Sequence, residues 1–203
     1  MPDDEFIRPR LADLAWPRRT SRLTLRPLTV DDVDAVLAYR SDPDVGRWLG
    51  RPARSREELM ASHFTEASLP DALAVELDGE VVGDMMVIVA DAWGQKDVRD
   101  RARNMVALLA WVLAPAHHGH GLMTEALQAV LRVTFEDLGV RRVKAECFAP
   151  NEPSWRLMER VGMRRETHAV RDALHRDLGW VDTLGYALLA DEWRAAPRHP
   201  LIE

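Results

Sequence analysis

The chain has 203 residues, a net charge of −6 and a balance of 47% hydrophobic and 30% charged residues. This length suits one well-buried domain with an elaboration, and the composition is ordinary for a globular protein. The acidic balance argues against general binding to nucleic acids or anionic membranes, because both need basic surfaces.

Three absences from the sequence narrow the class of protein further. The single cysteine, Cys147, excludes an intramolecular disulfide and a metal site built from several cysteines. No apolar run reaches the roughly 18 residues that a membrane span needs. The N-terminus is acidic and lacks the apolar core of a signal peptide, so we expect a cytoplasmic protein.

The first third of the chain predicts an arm, a strand and helices. Residues 1–20 carry three prolines among charges, and we expect an arm that packs on the domain or stays loose. Alternating polar and apolar residues predict a strand over 21–26. Ser55, with Glu58 at the capping spacing, predicts a helix that runs to about residue 68.

Two strands joined by a tight turn come next. The apolar runs at 72–77 and 80–89 flank Asp78 and Gly79, a dipeptide typical of a hairpin turn. The dense charge run at 95–103 favours a solvated hairpin loop, with a substrate-facing loop as the alternative. A nearly all-apolar run at 105–113 then predicts a central strand.

A glycine turn and the longest helix follow that strand. Gly119 and Gly121 lie in a turn, and apolar residues recur at helical spacing from Leu122 to Leu138, before Gly139. Backbone N–H groups at a helix start have no partner inside the helix, and the helix dipole adds positive potential there. The turn therefore suits a phosphate, although a plain structural turn explains it equally well.

The last part of the chain adds a strand at 141–148, a helix from Asn151 to Gly162, strands at 166–171 and 180–189, and a helical turn at 191–194. Strands and helices in this order predict a mixed α/β layer architecture. The pattern is not that of a dinucleotide-binding unit, because strands before the glycine turn form hairpins and position 124 is threonine.

Two segments of the chain match a pair of motifs known to occur together. PAHHGHGLMTEAL contains G-x-G, two residues, then Thr-Glu-Ala; NEPSWRLMERVGM contains N-x-x-S leading into a short helix closed by glycine. This pairing resembles the GCN5-related N-acetyltransferase (GNAT) superfamily, most of all the branch with the ribosomal-protein alanine acetyltransferases. The resemblance covers residues 22–193.

The resemblance implies a fold as well as an activity. The expected fold is a mixed α/β domain with a mostly antiparallel, twisted sheet of about seven strands, splayed in the middle and flanked by helices. One such domain would occupy residues 21–195, between the arm and a tail at 196–203. The implied activity is direct transfer of acetyl from acetyl-CoA to a primary amine, a small molecule or a protein N-terminus, and a homodimer is common in the family.

The resemblance also implies which residues of this chain contact the cofactor. The turn would hold the CoA pyrophosphate through its backbone, the preceding strand would pair with the pantetheine arm, and Asn151 would contact that arm. Ser154 would protonate the departing thiolate. The implied cofactor-binding residues are Trp111, Val112, Leu113, His118, Gly119, His120, Gly121, Leu122, Met123, Thr124, Asn151 and Ser154.

The chain departs from the family where a base is expected. Many members of the branch have glutamate where this chain has Leu108 or Leu109, and Ala116 replaces a frequent phosphate contact. Either the acceptor amine has a low pKa or another group serves as base. The candidates are Asp84, Glu146, Asp182, His117 and His118, each of which also has an ordinary structural explanation.

We take Ser154, Glu146 and Asp84 as the predicted catalytic residues, and we expect no metal site, because no metal-ligand spacing is present. Cys147 lies on a predicted buried strand and is not expected to be a nucleophile. Two rival hypotheses remain: an acyl-CoA-binding module without turnover, and a structural protein whose glycine turn binds nothing.

Overall fold

One eight-stranded sheet organises the protein, in the order β1-β2-β3-β4-β5-β6-β8-β7, as seen in a computed structural model that describes residues 11–196. The strands are β1 (Arg18–Arg19), β2 (Leu23–Pro27), β3 (Ala72–Leu77), β4 (Glu80–Ala90), β5 (Val106–Leu113), β6 (Arg142–Phe148), β7 (Arg164–His175) and β8 (Gly179–Leu189). All neighbours are antiparallel except β5 and β6. The predicted mixed, mostly antiparallel sheet is confirmed.

Six α-helices accompany the sheet within residues 11–196. They are α1 (Val33–Arg40), α2 (Pro43–Gly46), α3 (Arg56–Ser62), α4 (Leu122–Arg132), α5 (Glu152–Arg160) and α6 (Ala190–Ala195). A π-helical segment, Val133–Asp137, prolongs α4, so the long helix predicted from the apolar spacing is present with a change of hydrogen-bond pattern near its end.

The sheet opens in its middle. The parallel strands β5 and β6 pair only between Val106–Leu108 and Arg142–Lys144. From Leu109 onward β5 keeps β4 as its neighbour, while β6 stays paired with β8 as far as Phe148. The two halves of the sheet therefore diverge and leave a gap whose edges carry backbone groups without a strand partner.

Each face of the sheet buries its own apolar core, because successive strand residues point to opposite faces. Met85 and Val87 of β4 join the larger core, beneath α4 and α5. Ala72, Ala74 and Val112 belong to a smaller core with residues of α1 and α3. The apolar side of α4 is buried in the larger core. This packing fixes the position of the α4 N-terminus relative to the gap.

The structure differs from the sequence predictions at a few element boundaries. Helix α3 ends at Ser62 rather than near residue 68, because Phe64 leaves the helix to enter the smaller core, where it is buried. The hairpin of β7 and β8 is longer than predicted. The eighth strand is β1, whose two residues are too short for a periodic signal.

Part of the predicted arm is described and packs on the domain. Leu11 is buried in the larger core, and Arg18–Arg19 pair with Thr24 and Leu25 of β2. Residues 1–10 of the predicted arm, and all but the first residue of the predicted tail, lie outside the described residues. Within the described part, no helix has both the length and the apolar character needed to cross a membrane.

Candidate active site

The glycine turn presents a row of unpaired backbone donors next to the gap in the sheet. Gly119 and Gly121 have φ values of +80° and +74°, which only glycine adopts without strain, and Gly121 is the N-cap of α4. Among the described residues, the N–H groups from Gly119 to Thr124 have no hydrogen-bond acceptor, whereas that of Glu125 donates to the Gly121 carbonyl at 3.1 Å. The turn can therefore hold an anion such as a diphosphate.

A buried carboxylate ties this turn to the start of β2. The Glu125 carboxylate accepts hydrogen bonds from the hydroxyls of Thr20 and Ser21 at 2.5 and 2.8 Å, and from the Arg22 backbone N–H at 2.9 Å. The Arg22 guanidinium pairs with Glu125 at 2.7 Å and donates to the His120 carbonyl at 2.9 Å. Arg22 thus holds the middle of the turn in place.

The charge of Glu125 is strongly stabilised in this setting. Burial alone would raise the pKa of the carboxyl, but hydrogen bonds from Thr20, Ser21 and Arg22 outweigh it and lower the pKa to about 2. No sequence pattern indicates this network, because about a hundred residues separate Arg22 from Glu125 and no local signal links them.

A second contact joins the turn to the end of β5. The His118 ring Nε2 lies 2.8 Å from the Leu113 carbonyl oxygen. On the opposite edge of β5, Gly83 of β4 permits close approach, since a Cβ there would lie 2.5 Å from the Val112 carbonyl oxygen. The predicted pantetheine-binding residues Trp111–Leu113 therefore occupy a strand that is fixed at its end and along one edge, with its other edge open.

The residues of the second motif lie across the gap, after β6. Asn151 is the N-cap residue of α5, yet its side chain makes no capping hydrogen bond, so it is free for another partner. Ser154 lies one turn into α5, close enough to hydrogen-bond the Cys147 thiol. Burial raises the pKa of Cys147 to about 11, although the bond with Ser154 acts in the opposite direction. A thiol that stays protonated is a poor nucleophile.

The predicted base Asp84 is enclosed by partners. It is 1% exposed and accepts hydrogen bonds from the Tyr39 hydroxyl at 2.7 Å and from Arg40 at 2.5 and 3.0 Å, with the His63 ring 3.1 Å away. Burial opposes the charge, but Arg40 and His63 outweigh it and hold the pKa of Asp84 well below its usual range. A carboxylate so fully bonded has little basicity left.

The other candidate bases lie in different surroundings. Glu146 is exposed on β6, beside the gap and on the face opposite α4. Asp182 of β8 accepts a bond from the Arg171 N–H at 2.9 Å and lies 2.6 Å from the His168 ring; both contacts lower its pKa. His117, at the end of a short 3-10 helix, is half-buried.

The glutamate expected from the family would lie on β5, at Leu108 or Leu109. Leu109 is buried in the larger core, whereas Leu108 is 41% exposed on the opposite face, directly paired with Ile88 and Lys144. A carboxylate at position 108 would be partly exposed on the face opposite α4, where this chain has an apolar side chain instead. Within residues 11–196, no group of three or more histidine, cysteine, aspartate or glutamate side chains could hold a metal ion.

Comparison with known proteins agrees with this geometry. A family model described as "Acetyltransferase (GNAT) domain" matches residues 22–164, which includes β2, the splayed strands, the glycine turn and α5. The chain belongs to the GNAT acetyltransferase family. The resemblance inferred from the two motifs is confirmed, and the protein is an N-acetyltransferase.

Individual N-acetyltransferases align with most of this chain. "Uncharacterized N-acetyltransferase YnaD" of Bacillus subtilis is 28% identical over 174 residues, covering 86% of this chain and 97% of the relative. "Aminoglycoside N(6')-acetyltransferase type 1" of Klebsiella pneumoniae is 25% identical over 154 residues, covering 71% and 75%. The solved structure of a GNAT acetyltransferase from Bacillus anthracis is 27% identical, with a TM-score of 0.72, and covers 87% of this chain and all of that one.

Proposed function

We propose that the protein transfers acetyl from acetyl-CoA to a primary amine, by direct attack while both substrates are bound. The observation that carries this proposal is the row of unpaired N–H groups from Gly119 to Thr124, held by Arg22 beside the gap in the sheet. A diphosphate on these groups would direct the rest of the CoA molecule into the gap, along the open edge of β5.

Acetyl-CoA supplies the acetyl group as an activated thioester, and the chain's own groups would position and stabilise the reaction. The open edge of β5 offers backbone donors for the pantetheine arm and for negative charge on the carbonyl oxygen. Holding amine and thioester together contributes up to roughly 7–11 kcal/mol of the barrier reduction in well-oriented reactions. Ser154, on α5 across the gap, would give its hydroxyl proton to the leaving sulfur, and Asn151 would hold the arm.

Removal of a proton from the amine needs an accessible base, and we assign this role to Glu146. Its carboxylate is exposed at the edge of the gap, on the face away from α4. Asp84, the other predicted carboxylate, would instead fix α1 against β4 through Arg40 and Tyr39. Its proposed role is therefore structural.

The direct test is release of free CoA thiol from acetyl-CoA in the presence of an amine panel of N-terminal peptides, polyamines and an aminoglycoside. We expect amine-dependent thiol release, and we expect Ser154→Ala to lower kcat about 10²-fold or more, the usual contribution of a positioned acid. Glu159→Gln is a matched control, because Glu159 lies on the same helix and contacts Tyr186 and Arg165.

A second function has one observation in its favour. Leu108 is an apolar residue on the face opposite α4, where the family's glutamate is expected. Loss of that glutamate would suit a protein that binds acyl-CoA without turnover. Thermal stabilisation by CoA, with no thiol release on any amine, would select this alternative and exclude the first.

The predicted homodimer and the cytoplasmic location stay predictions. For the homodimer, the hairpin of β7 and β8 offers a candidate surface: Val170, Leu174 and Trp180 are exposed there, and Leu174 pairs with Trp180. We propose that a second copy of the chain covers these side chains.

A further inference from the structure

A buried histidine at the tip of the β7–β8 hairpin has one ring nitrogen without a partner. His175 is 2% exposed and packs edge-on between the rings of Trp48, at 5.4 Å between centroids, and Phe148, at 5.1 Å. Its Nε2 atom is buried and has no hydrogen bond among the described residues. Buried polar atoms are nearly always bonded, so this exception calls for an explanation.

The other ring nitrogen fixes the chemical character of the unpaired one. His175 Nδ1 accepts hydrogen bonds from the backbone N–H groups of Asp177 and Leu178, at 3.1 and 3.3 Å. An acceptor nitrogen carries no proton, so the proton of the neutral ring is on Nε2. The unpaired atom is therefore a donor, and its natural partner is an oxygen.

The His175 ring lies beside the last residue of β6, where the gap in the sheet is open. Phe148 is the last residue of β6, three residues before Asn151. Trp48 comes from the other side: it follows α2, among the helices that pack on the smaller core. Arg176 donates to the Leu49 carbonyl at 2.5 Å, so the hairpin tip and the segment after α2 meet here. An acceptor molecule that approaches the gap from the face opposite α4 encounters this junction.

We propose that His175 is a specificity residue for the acceptor: its Nε2–H donates to an oxygen of the amine substrate when the Trp48 ring turns aside. The favoured substrates are primary amines that carry a carbonyl or hydroxyl oxygen a few bonds from the nitrogen. Amines without oxygen leave the buried donor unpaired and are poorer substrates. The inference rests on the proposed acetyl transfer and deepens it.

The test compares two amines of nearly the same shape. Alaninamide carries a carbonyl oxygen three bonds from its amine nitrogen; 3-methylbutan-2-amine has methyl groups in place of the amide oxygen and nitrogen. The variant His175→Asn keeps an acceptor for the N–H groups of Asp177 and Leu178, as asparagine does in turns, but withdraws the ring donor. Glu80→Gln is the control, because Glu80 is exposed in the β3–β4 hairpin on the other half of the sheet.

We expect His175→Asn to lower kcat/KM for alaninamide about tenfold, mainly through KM, the scale of one buried hydrogen bond. For 3-methylbutan-2-amine the change stays below about twofold, and Glu80→Gln changes neither value. Comparing each variant with the wild type cancels the different basicities of the two amines. Equal losses on both amines, or no loss on either, overturn the inference while leaving the acetyl transfer intact.

A second measurement needs no turnover. In histidine-¹⁵N-labelled protein with CoA present, the Nε2 resonance of His175 shifts when alaninamide is added and stays in place with 3-methylbutan-2-amine. The shifting signal is missing in His175→Asn. Thiol release without this shift refutes the role of His175 alone. Absence of both the shift and thiol release removes the inference together with the function on which it rests.

Discussion

At the scale of single residues, Glu125 links stability to the proposed cofactor site. Its carboxylate has a depressed pKa of about 2, so it contributes stability above the pKa of the unfolded chain, near 4.5. That contribution is lost as the pH falls from about 4.5 through about 2. The same carboxylate holds Arg22, which holds the turn.

We therefore expect Glu125→Gln to lower the free energy of unfolding at pH 7 by about 1–3 kcal/mol, because it weakens a buried charged network. It should also raise the KM for acetyl-CoA. Urea unfolding from pH 7 to pH 3 checks the first effect: the wild type should lose stability more steeply than the variant below pH 4.5. Glu80→Gln, on an exposed hairpin residue, is the control. Parallel pH curves for Glu125→Gln and the wild type would contradict the argument.

Asp84 gives the second prediction at this scale. Removing its charge leaves Arg40, whose side chain is 12% exposed, without its ion-pair partner. We expect Asp84→Asn to lower the free energy of unfolding by about 3–5 kcal/mol, the usual cost of breaking a buried pair. Denaturant unfolding measures it. The folded Asp84→Asn protein should keep the wild-type pH dependence of kcat. Loss of the acidic limb of this pH profile would instead identify Asp84 as the base.

At the scale of elements, the start of α4 carries the proposed CoA site. A side chain at Gly121 would be strained by the positive φ, and its Cβ would lie 3.7 Å from the Arg22 guanidinium, an ordinary contact distance. Gly121→Ala should cost about 1–2 kcal/mol of stability from the backbone strain, and should weaken CoA binding at the same time.

Gly179→Ala is a matched control for this strain. Gly179 has φ +73° with no atom near the added Cβ, and it lies in the hairpin between β7 and β8. We expect a similar loss of thermal stability in both variants but a loss of CoA affinity, by calorimetry, only in Gly121→Ala. Equal CoA affinities in the two variants would mean that the turn does not hold the cofactor.

Elements with a strong local signal could be predicted from the sequence. The apolar spacing of α4 and the glycines before it located the long helix and its turn, because one stripe is buried and the backbone is left-handed at Gly121. The helix that begins after Asn151 could be predicted from its N-cap residue and its closing glycine, whereas the roles of Asn151 and Ser154 rest on the family resemblance. Contacts between distant segments could not be predicted from the sequence. The contacts of Arg22 with Glu125 and of Trp48 with His175 arise from tertiary packing, which produces no periodic pattern in the sequence.

At the scale of the whole molecule, the exposed apolar residues of the β7–β8 hairpin bear on the proposed homodimer. Trp180 is 62% exposed and pairs with Leu174, which is 65% exposed. We expect Trp180→Glu to shift the protein from dimer to monomer in light scattering, because a charge cannot be buried there without a partner. Trp93→Glu, at a tryptophan that is 92% exposed in the loop between β4 and β5, should leave the mass unchanged. A monomeric wild type would refute the dimer.

The narrow parallel pairing between β5 and β6 has a dynamic consequence. The ladder between the two strands covers only Val106–Leu108 and Arg142–Lys144, so the amide protons of β5 beyond Leu108 that face the gap lack a strand to protect them. A ligand lying in the gap would take the place of that strand. These amides should then exchange with deuterated water quickly in the free protein and slowly in its presence, which makes the protein's own backbone a reporter of cofactor occupancy.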